Sequence, residues 1–307
     1  MATKTFTSKM LYGQRGEGTR GVPEIPGGSS WDGDLYSLDF DGIEDGIKLD
    51  NTENNTDFNF GFDDSFSISC WAKTSNAGYK MLVTKWAYVS WSGVPPEGSL
   101  GWWFGFSSNA LTFSLNATIW GSGGNAGIHN SMSGFQAWKL ANVWHHYLVT
   151  YNGNRLGSGI KLYIDSIDVS GAGITNMDPS YVVNTTSSVY IGDRDTTSPG
   201  NELTHASWLG NIDEVAIWEG TVLDQTQIDT IYNGTPPAGA VSPGWDWSGG
   251  TGTPDDLSSL NPSSWWRMGD KGTFSTNWAL PDQGSNSYNG TSENMIVGDR
   301  EEDIPPT

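Results

Sequence analysis

The sequence predicts an all-β protein: an antiparallel sandwich of many short strands with a single short helix. Three observations predict it. Apolar and polar residues alternate with period two in run after run between residues 35 and 218, and turn-forming Gly, Pro, Asn, Asp and Ser separate the runs. The alternation leaves one apolar and one polar face on a strand, as antiparallel sheets require; parallel strands read as continuous apolar blocks. Glycine (40 of 307 residues) and tryptophan (16) are both abundant, which suits tight turns around an aromatic core.

Residues 1–34 are polar and rich in Gly and Pro, and they carry Lys4, Lys9, Arg15 and Arg20. We read them as a basic arm that attaches to an acidic partner or a neighbouring subunit; the same composition also suits a poorly ordered terminus. The sandwich is expected over 35–236. It opens on LYSLDFD, where Tyr36, Leu38 and Phe40 alternate with polar positions; Gly42 and Gly46 then frame a turn and IKL resumes the strand. A polar loop over 51–64 leads to strands expected at 65–74, 80–86, 101–107, 111–115, 143–151, 160–165, 188–192 and 208–218. Trp102, Phe104 and Phe106 share one face with Leu111, Phe113 and Leu115 across a hairpin at 107–110, so Trp103 points the other way. The stretches 121–134 and 193–207 read as polar loops. In the closing stretch GNIDEVAIWEGTVLDQTQIDTIYNG, Ile212, Val215 and Ile217 form a strand with Asp213 and Glu214 set among them. The helix follows, with Asp224 as N-cap, Gln227 three residues on and Gly234 as its stop.

That closing stretch resembles the end of laminin-G-like domains, in the concanavalin A-like lectin and glucanase superfamily. Three upstream stretches resemble the same pattern in the same order: LDFDGIEDGIKL (38–49), SFSISCWAKT (65–74) and VWHHYLVTYNGN with GIKLYID (143–165). One departure is visible, because Asp165-Ser166 stands where the family usually has Asp-Gly after this strand; that leaves the turn type open. The resemblance implies a jelly-roll sandwich. It also implies a structural calcium ion near the first Asp-Gly turn and the closing strand, at Asp41, Gly42 and Asp213, unless Asp213 merely caps a turn. No organic cofactor is expected. The WHH strand is structural in such domains, and adjacent strand residues face opposite ways, so His145 and His146 cannot chelate one metal. Glucanases of the superfamily use Glu-x-Asp-x-x-Glu on one strand, and the sequence holds no such motif, so no enzyme is expected.

After a Pro/Gly linker at 237–255, the segment 256–307 (DLSSLNPSSWWRMGD, then SYNGTSENM) resembles the opening of a laminin-G-like domain, which the body lacks. We expect it to supply edge strands to the sandwich, either its own or a neighbour's, because the forty residues of its patterned part, 256–295, are too few to fold alone and an open sheet edge is a hazard. The ending is also similar to segments of marine phage structural proteins.

Composition bounds the function. A formal net charge of −20 and a sequence pI near 4.3 oppose nucleic-acid binding. The single cysteine, Cys70, alternates with Ser67 and Ser69 and reads as a buried thiol. The N-terminus shows no apolar signal core, and no run approaches 18 apolar residues. Aromatic rings that stack on sugars are sought at Trp71, Trp91, Trp103 and Trp120, each of which serves equally as packing. The expected protein is a non-catalytic virion structural or adhesion component, such as a phage head decoration, fibre or tail part, that touches host glycans. A free extracellular bacterial lectin is the alternative. Its expected partners are other virion proteins, copies of itself and glycans. A homotrimer is expected by analogy with fibres, although the sequence has no heptads.

Overall fold

The computed structural model describes residues 33–50, 52, 57–75, 78–89, 98–107, 109–119, 124–132, 142–176, 185–194, 206–237 and 250–306. In chain order the strands are β1 (Ser37–Asp41), β2 (Gly46–Leu49), β3 (Ser65–Ala72), β4 (Lys80–Val89), β5 (Gly98–Ser107), β6 (Ala110–Ile119), β7 (Gly124–Ser131), β8 (His145–Asn152), β9 (Ile160–Ile164), β10 (Ile167–Asp168), β11 (Ile174–Asn176), β12 (Tyr190–Ile191) and β13 (Leu209–Glu219). Helix α1 (Gln225–Tyr232) follows. Then come β14 (Ser264–Trp266), β15 (Thr273–Phe274), β16 (Trp278–Leu280), β17 (Gly290–Glu293) and β18 (Arg300–Glu301).

Two antiparallel sheets face each other. The first runs β10-β9-β8-β3-β13-β1-β18, with β14 also paired to β13, and holds eight strands; the second runs β11-β7-β6-β5-β4-β12-β2-β17-β16-β15 and holds ten. Alternate residues from both meet in one core. Phe66, Ile68 and Cys70 of β3 and Tyr147, Val149 and Tyr151 of β8 oppose Trp102, Phe104, Phe106, Phe113 and Leu115 of β5 and β6. All of these are fully buried. Burial drives the Cys70 thiol upward, away from the reactive thiolate.

The helix forms as its sequence dictates. Asp224 accepts the Gln227 N–H at 2.9 Å while the Gln227 side chain accepts the Asp224 N–H, a reciprocal capping box. It ends on Asn233 in the left-handed conformation (φ 48°), one residue before the expected glycine. The doubtful turn also resolves. Asp165 (φ 50°) and Ser166 (φ 69°) are both left-handed between paired Ile164 and Ile167, the two-residue geometry that matches strand twist. Asp165 is held there by use: its carboxylate takes His145 Nδ1 at 2.6 Å and the His146 N–H at 2.9 Å.

Two expectations change. The glycine-rich stretch 121–134 contains a strand, β7, in full register with β6 from Thr112↔Ser131 to Ile119↔Gly124. Its small residues were misread as loop because pairing to a long neighbour overrides weak local propensity. The C-terminal segment packs in its own chain, and it does more than extend an edge. β1 takes β13 residues 209–212 and β14 takes 215–217, so two short strands share one position beside β13. β17 lies along all of β2 and carries β16 and β15 outward, while β18 pairs with the start of β1. Residues Asp32–Thr307 form one compact unit, and Met1–Trp31, with Lys4, Lys9, Arg15 and Arg20, lie outside the described residues. Of the expected linker, 238–249 also lie outside them.

Candidate functional site

The closing strand carries the first candidate. Ile212, Val215 and Ile217 all face the core, which is three steps and then two, so β13 holds one extra residue. The register with β3 shifts there, between Asp213 and Ala216, and Glu214 has φ 47°. This is a β-bulge, and it turns both Asp213 and Glu214 to the outer side of the eight-stranded sheet. Asp34, just before β1, and Asp270, just after β14, meet them there. Carboxylate oxygens of Asp34, Glu214 and Asp270 lie within 4.8 Å of one another.

Among the described residues, Arg267 is the cation that faces this group. Arg267 Nε reaches Glu214 Oε1 at 3.0 Å and its guanidinium lies 3.6 Å from Asp270 Oδ2, while another of its N–H groups donates to the Gly33 carbonyl. The Trp265 indole N–H donates to Glu214 Oε2. Among the described residues no N–H or O–H serves either oxygen of Asp34, which is 5% exposed, or Oδ2 of Asp213, which is 0% exposed. Asp34 and its carboxylate neighbours can bond only by sharing a proton. Burial first, and then the Asp270 and Glu214 carboxyls, push Asp34 up to about 8. Burial raises Asp213 well above the carboxylate range, and Asp34 adds to it. Glu214 rises to about 7 because burial outweighs the pull of Arg267. Four buried carboxylates around one guanidinium fit a hard divalent cation, which takes oxygen ligands only and would satisfy the orphaned atoms.

The calcium ligands expected at Asp41, Gly42 and Asp213 do not come together. Asp41 pairs with Leu209, four residues along β13 from Asp213, a distance of about 13 Å at ~3.3 Å per residue. Asp41 instead caps its own turn, accepting the Ile43 N–H at 2.8 Å. Sequence reading missed Asp34, Glu214 and Asp270. A signal was available, since I-D-E-V-A-I breaks period-two alternation at the bulge. Asp34 and Asp270 had no local signal, because only the docking of β14 beside β13 and of the approach to β1 brings them to it.

The second candidate is the outer face of the ten-stranded sheet. Along one register line lie His129 of β7, Ser114 of β6, Trp103 of β5 and Thr84 of β4. Met81, Trp103 and Ala206 pack as a small cluster outside the core, with Tyr79 and Trp86 part-exposed against it. Tyr79 and Trp103 ring centroids are 5.8 Å apart, and the Arg194 guanidinium sits 5.6 Å from the Trp86 ring. Beside them Ser114 Oγ donates to Asn116 Oδ1 at 3.0 Å. Gly101, opposite Trp86, has φ 102°, and a Cβ there would sit 1.9 Å from the Lys85 carbonyl oxygen, so no side chain can grow over the strip at that point. Rings with hydroxyl and amide groups alongside are what a sugar needs.

The other expected sugar platforms fare differently. Trp71 faces away from the core but is covered: it stacks on Tyr232 of α1 at 5.7 Å and lies 5.4 Å from His146. At 2% exposure it has no face left for a sugar. Trp91 and Trp120 lie outside the described residues. His145 and His146 face opposite ways as expected, one bound to Asp165 and the other to Ser69 Oγ at 2.7 Å.

A comparison with curated proteins finds no relative by sequence. Among solved structures, a Bacteroides ovatus protein suggested to bind carbohydrate is 15% identical with a TM-score of 0.49, over 90% of this chain and 62% of that one. A heptameric pentraxin of the horseshoe crab Limulus polyphemus is 16% identical with a TM-score of 0.42, over 74% and 94% of the two chains. Domains LG4-5 of the mouse laminin α1 chain are 16% identical with a TM-score of 0.39, over 63% and 45%. The chain thus spans under two thirds of the Bacteroides protein's length. A laminin G family model, described as concanavalin A-like lectin/glucanases superfamily, matches residues 41–229. That stretch runs from the end of β1 through the bulged closing strand into α1, and with two facing antiparallel sheets and one capped helix around it, the chain belongs to the concanavalin A-like lectin/glucanase superfamily.

Proposed function

We propose that this chain is a non-catalytic adhesion module that holds glycans on the outer face of its ten-stranded sheet, and that it works as a structural component of a virus particle. The observation that carries the reading is the aromatic strip of Tyr79, Trp86 and Trp103 beside Ser114, Asn116 and His129. The part-exposed rings of Tyr79 and Trp86, backed by the buried Trp103, would offer the apolar surface that a pyranose stacks on, with part-exposed Asn116 and His129 alongside for ring hydroxyls. The particle setting draws on charge. A body at the heart of a chain of net charge −20 would be joined to its neighbours through Lys4, Lys9, Arg15 and Arg20. Calcium enters the same reading as a structural ion, held by Asp34, Glu214 and Asp270 in place of the ligands expected from sequence.

A glycan array probed with the full chain and with Trp86→Ala tests this function. The expected result is binding to a defined glycan class that Trp86→Ala loses at least about tenfold, with no release of reducing sugar from any bound glycan. Equal binding by the variant, or turnover of a bound glycan, would overturn the reading. Copurification with virions supports the particle setting; glycan binding by a chain found only free in the medium would make it a bacterial lectin.

A further inference from the structure

We infer that a divalent cation in the carboxylate cluster fastens the C-terminal segment to the sandwich, so that calcium governs how firmly residues 264–301 stay docked. The inference rests on the calcium reading above and concerns what the ion does once bound.

The cluster is a joint between three distant stretches of chain. Asp34 comes from the approach to β1, Asp213 and Glu214 from the bulge in β13, and Asp270 from the turn after β14. The same stretches are tied by hydrogen bonds at the same place. Asp270 accepts the Leu35 N–H through both oxygens, at 3.1 and 3.3 Å, and Arg267 bridges Glu214, Asp270 and the Gly33 carbonyl. β14 itself is short, with three register pairs to β13, so its backbone bonds alone give the segment a small hold at this end. Carboxyl crowding works against docking. The segment brings Asp270 to a body that already presents Asp34, Asp213 and Glu214; without a cation these groups must share protons or repel, and Arg267 offsets one charge. The second, independent observation is the pair of orphaned groups. Both oxygens of Asp34 and Oδ2 of Asp213 are buried, and among the described residues they find no donor except a proton shared with a neighbouring carboxyl. A divalent cation would replace repulsion across the joint by shared coordination, with one ligand from the C-terminal segment and the rest from the body. It would act at the point where β1 and β14 meet beside β13.

The test uses the full chain stripped with chelator and then given calcium or magnesium chloride. Calorimetry reads binding, and hydrogen exchange reads docking at 264–270 against β8 as an internal control. Calcium is expected to slow exchange at 264–270 by about tenfold or more while β8 stays unchanged, and to raise Tm by roughly 5 °C at about a hundredfold excess over Kd. Asp270→Asn, which keeps an oxygen for the Leu35 N–H, is expected to bind calcium at least about tenfold more weakly and to lose the protection. Asp34→Asn, which leaves the segment untouched, is expected to do the same and serves if the first variant does not fold. Calcium binding without any change in exchange at 264–270 would overturn the fastening and leave the calcium site standing. Absence of calcium binding by the unaltered chain would remove both. Unchanged affinity in Asp270→Asn would show that the segment supplies no ligand, and the inference would fall.

Discussion

The two outer faces of the sandwich are built from the same kind of strand and end differently. Trp71 and Trp103 each stand on a central strand and each point away from the core. On the eight-stranded sheet, α1 lies over Trp71 and His146 through Tyr232, and the C-terminal segment closes the remainder around Glu214. On the ten-stranded sheet, Trp103 is flanked by part-exposed Tyr79 and Trp86. One face is closed over Trp71; on the other Trp103 is 8% exposed and the neighbouring Tyr79 and Trp86 rings stay part-exposed. The difference teaches that an outward tryptophan is a binding candidate only where the segments that fold back across it leave neighbouring rings part-exposed.

The comparison can be broken at several points, and the largest effect is expected where the covered side meets the core. Trp266 of β14 is fully buried and donates its indole N–H to the Tyr288 carbonyl at 2.7 Å. Trp266→Ala should cost about 3–5 kcal/mol in denaturant unfolding; a loss under about 1 kcal/mol would mean that the C-terminal segment is a dispensable appendage. Acid comes next. Burial holds His146 down at about 3 against an ordinary 6.5. The unfolded chain therefore binds a proton at this site across that window while the folded chain does not, and the His146 contribution to stability falls as pH drops below 6.5, by about 1.4 kcal/mol per unit, while the raised carboxyls of Asp34, Asp213 and Glu214 act in the opposite sense. By pH 5 that contribution is down by about 2 kcal/mol, and His146→Gln should shift the pH slope by that amount relative to the unaltered chain in urea titrations at pH 7, 6 and 5. An unchanged slope would show that the face beneath α1 admits water. Loosening the lid is milder: Asp224→Ala removes the capping box and should cost about 1 kcal/mol, seen as a lower urea midpoint. The smallest stability effect belongs to the open face. Trp86→Ala should change unfolding by under about 1 kcal/mol while abolishing glycan binding. A large loss of stability there would mean that the strip is packing, and the contrast between the faces would disappear.

Much of this architecture can be read in the residues. Period-two alternation in Phe66, Ile68 and Cys70 and in Trp102, Phe104 and Phe106 places the strands and their inward faces, because a strand's side chains alternate whatever its neighbours are. The capping box at Asp224 and Gln227 places the helix to within a residue. β7 escaped because its glycine-rich sequence acquires strand structure only by pairing with β6. The candidate cation site was legible in part. Asp213 lies next to the cluster, but Asp41, taken from the family resemblance, lies elsewhere, whereas Asp34 and Asp270 reach Glu214 through folding.

By itself the sequence determined the fold class, the inward face of each strand, the capped helix and the need of the body for strands that its last fifty residues supply. These follow from local rules of backbone geometry and from an apolar pattern that must be buried. The tertiary structure decided which outward groups are covered and which carboxylates meet. Trp71 is buried by a ring 161 positions away in the chain, and Glu214 finds Asp34 and Asp270 only because one end of the chain docks beside the other. Such contacts depend on where distant segments come to rest, and no pattern within a short window encodes that.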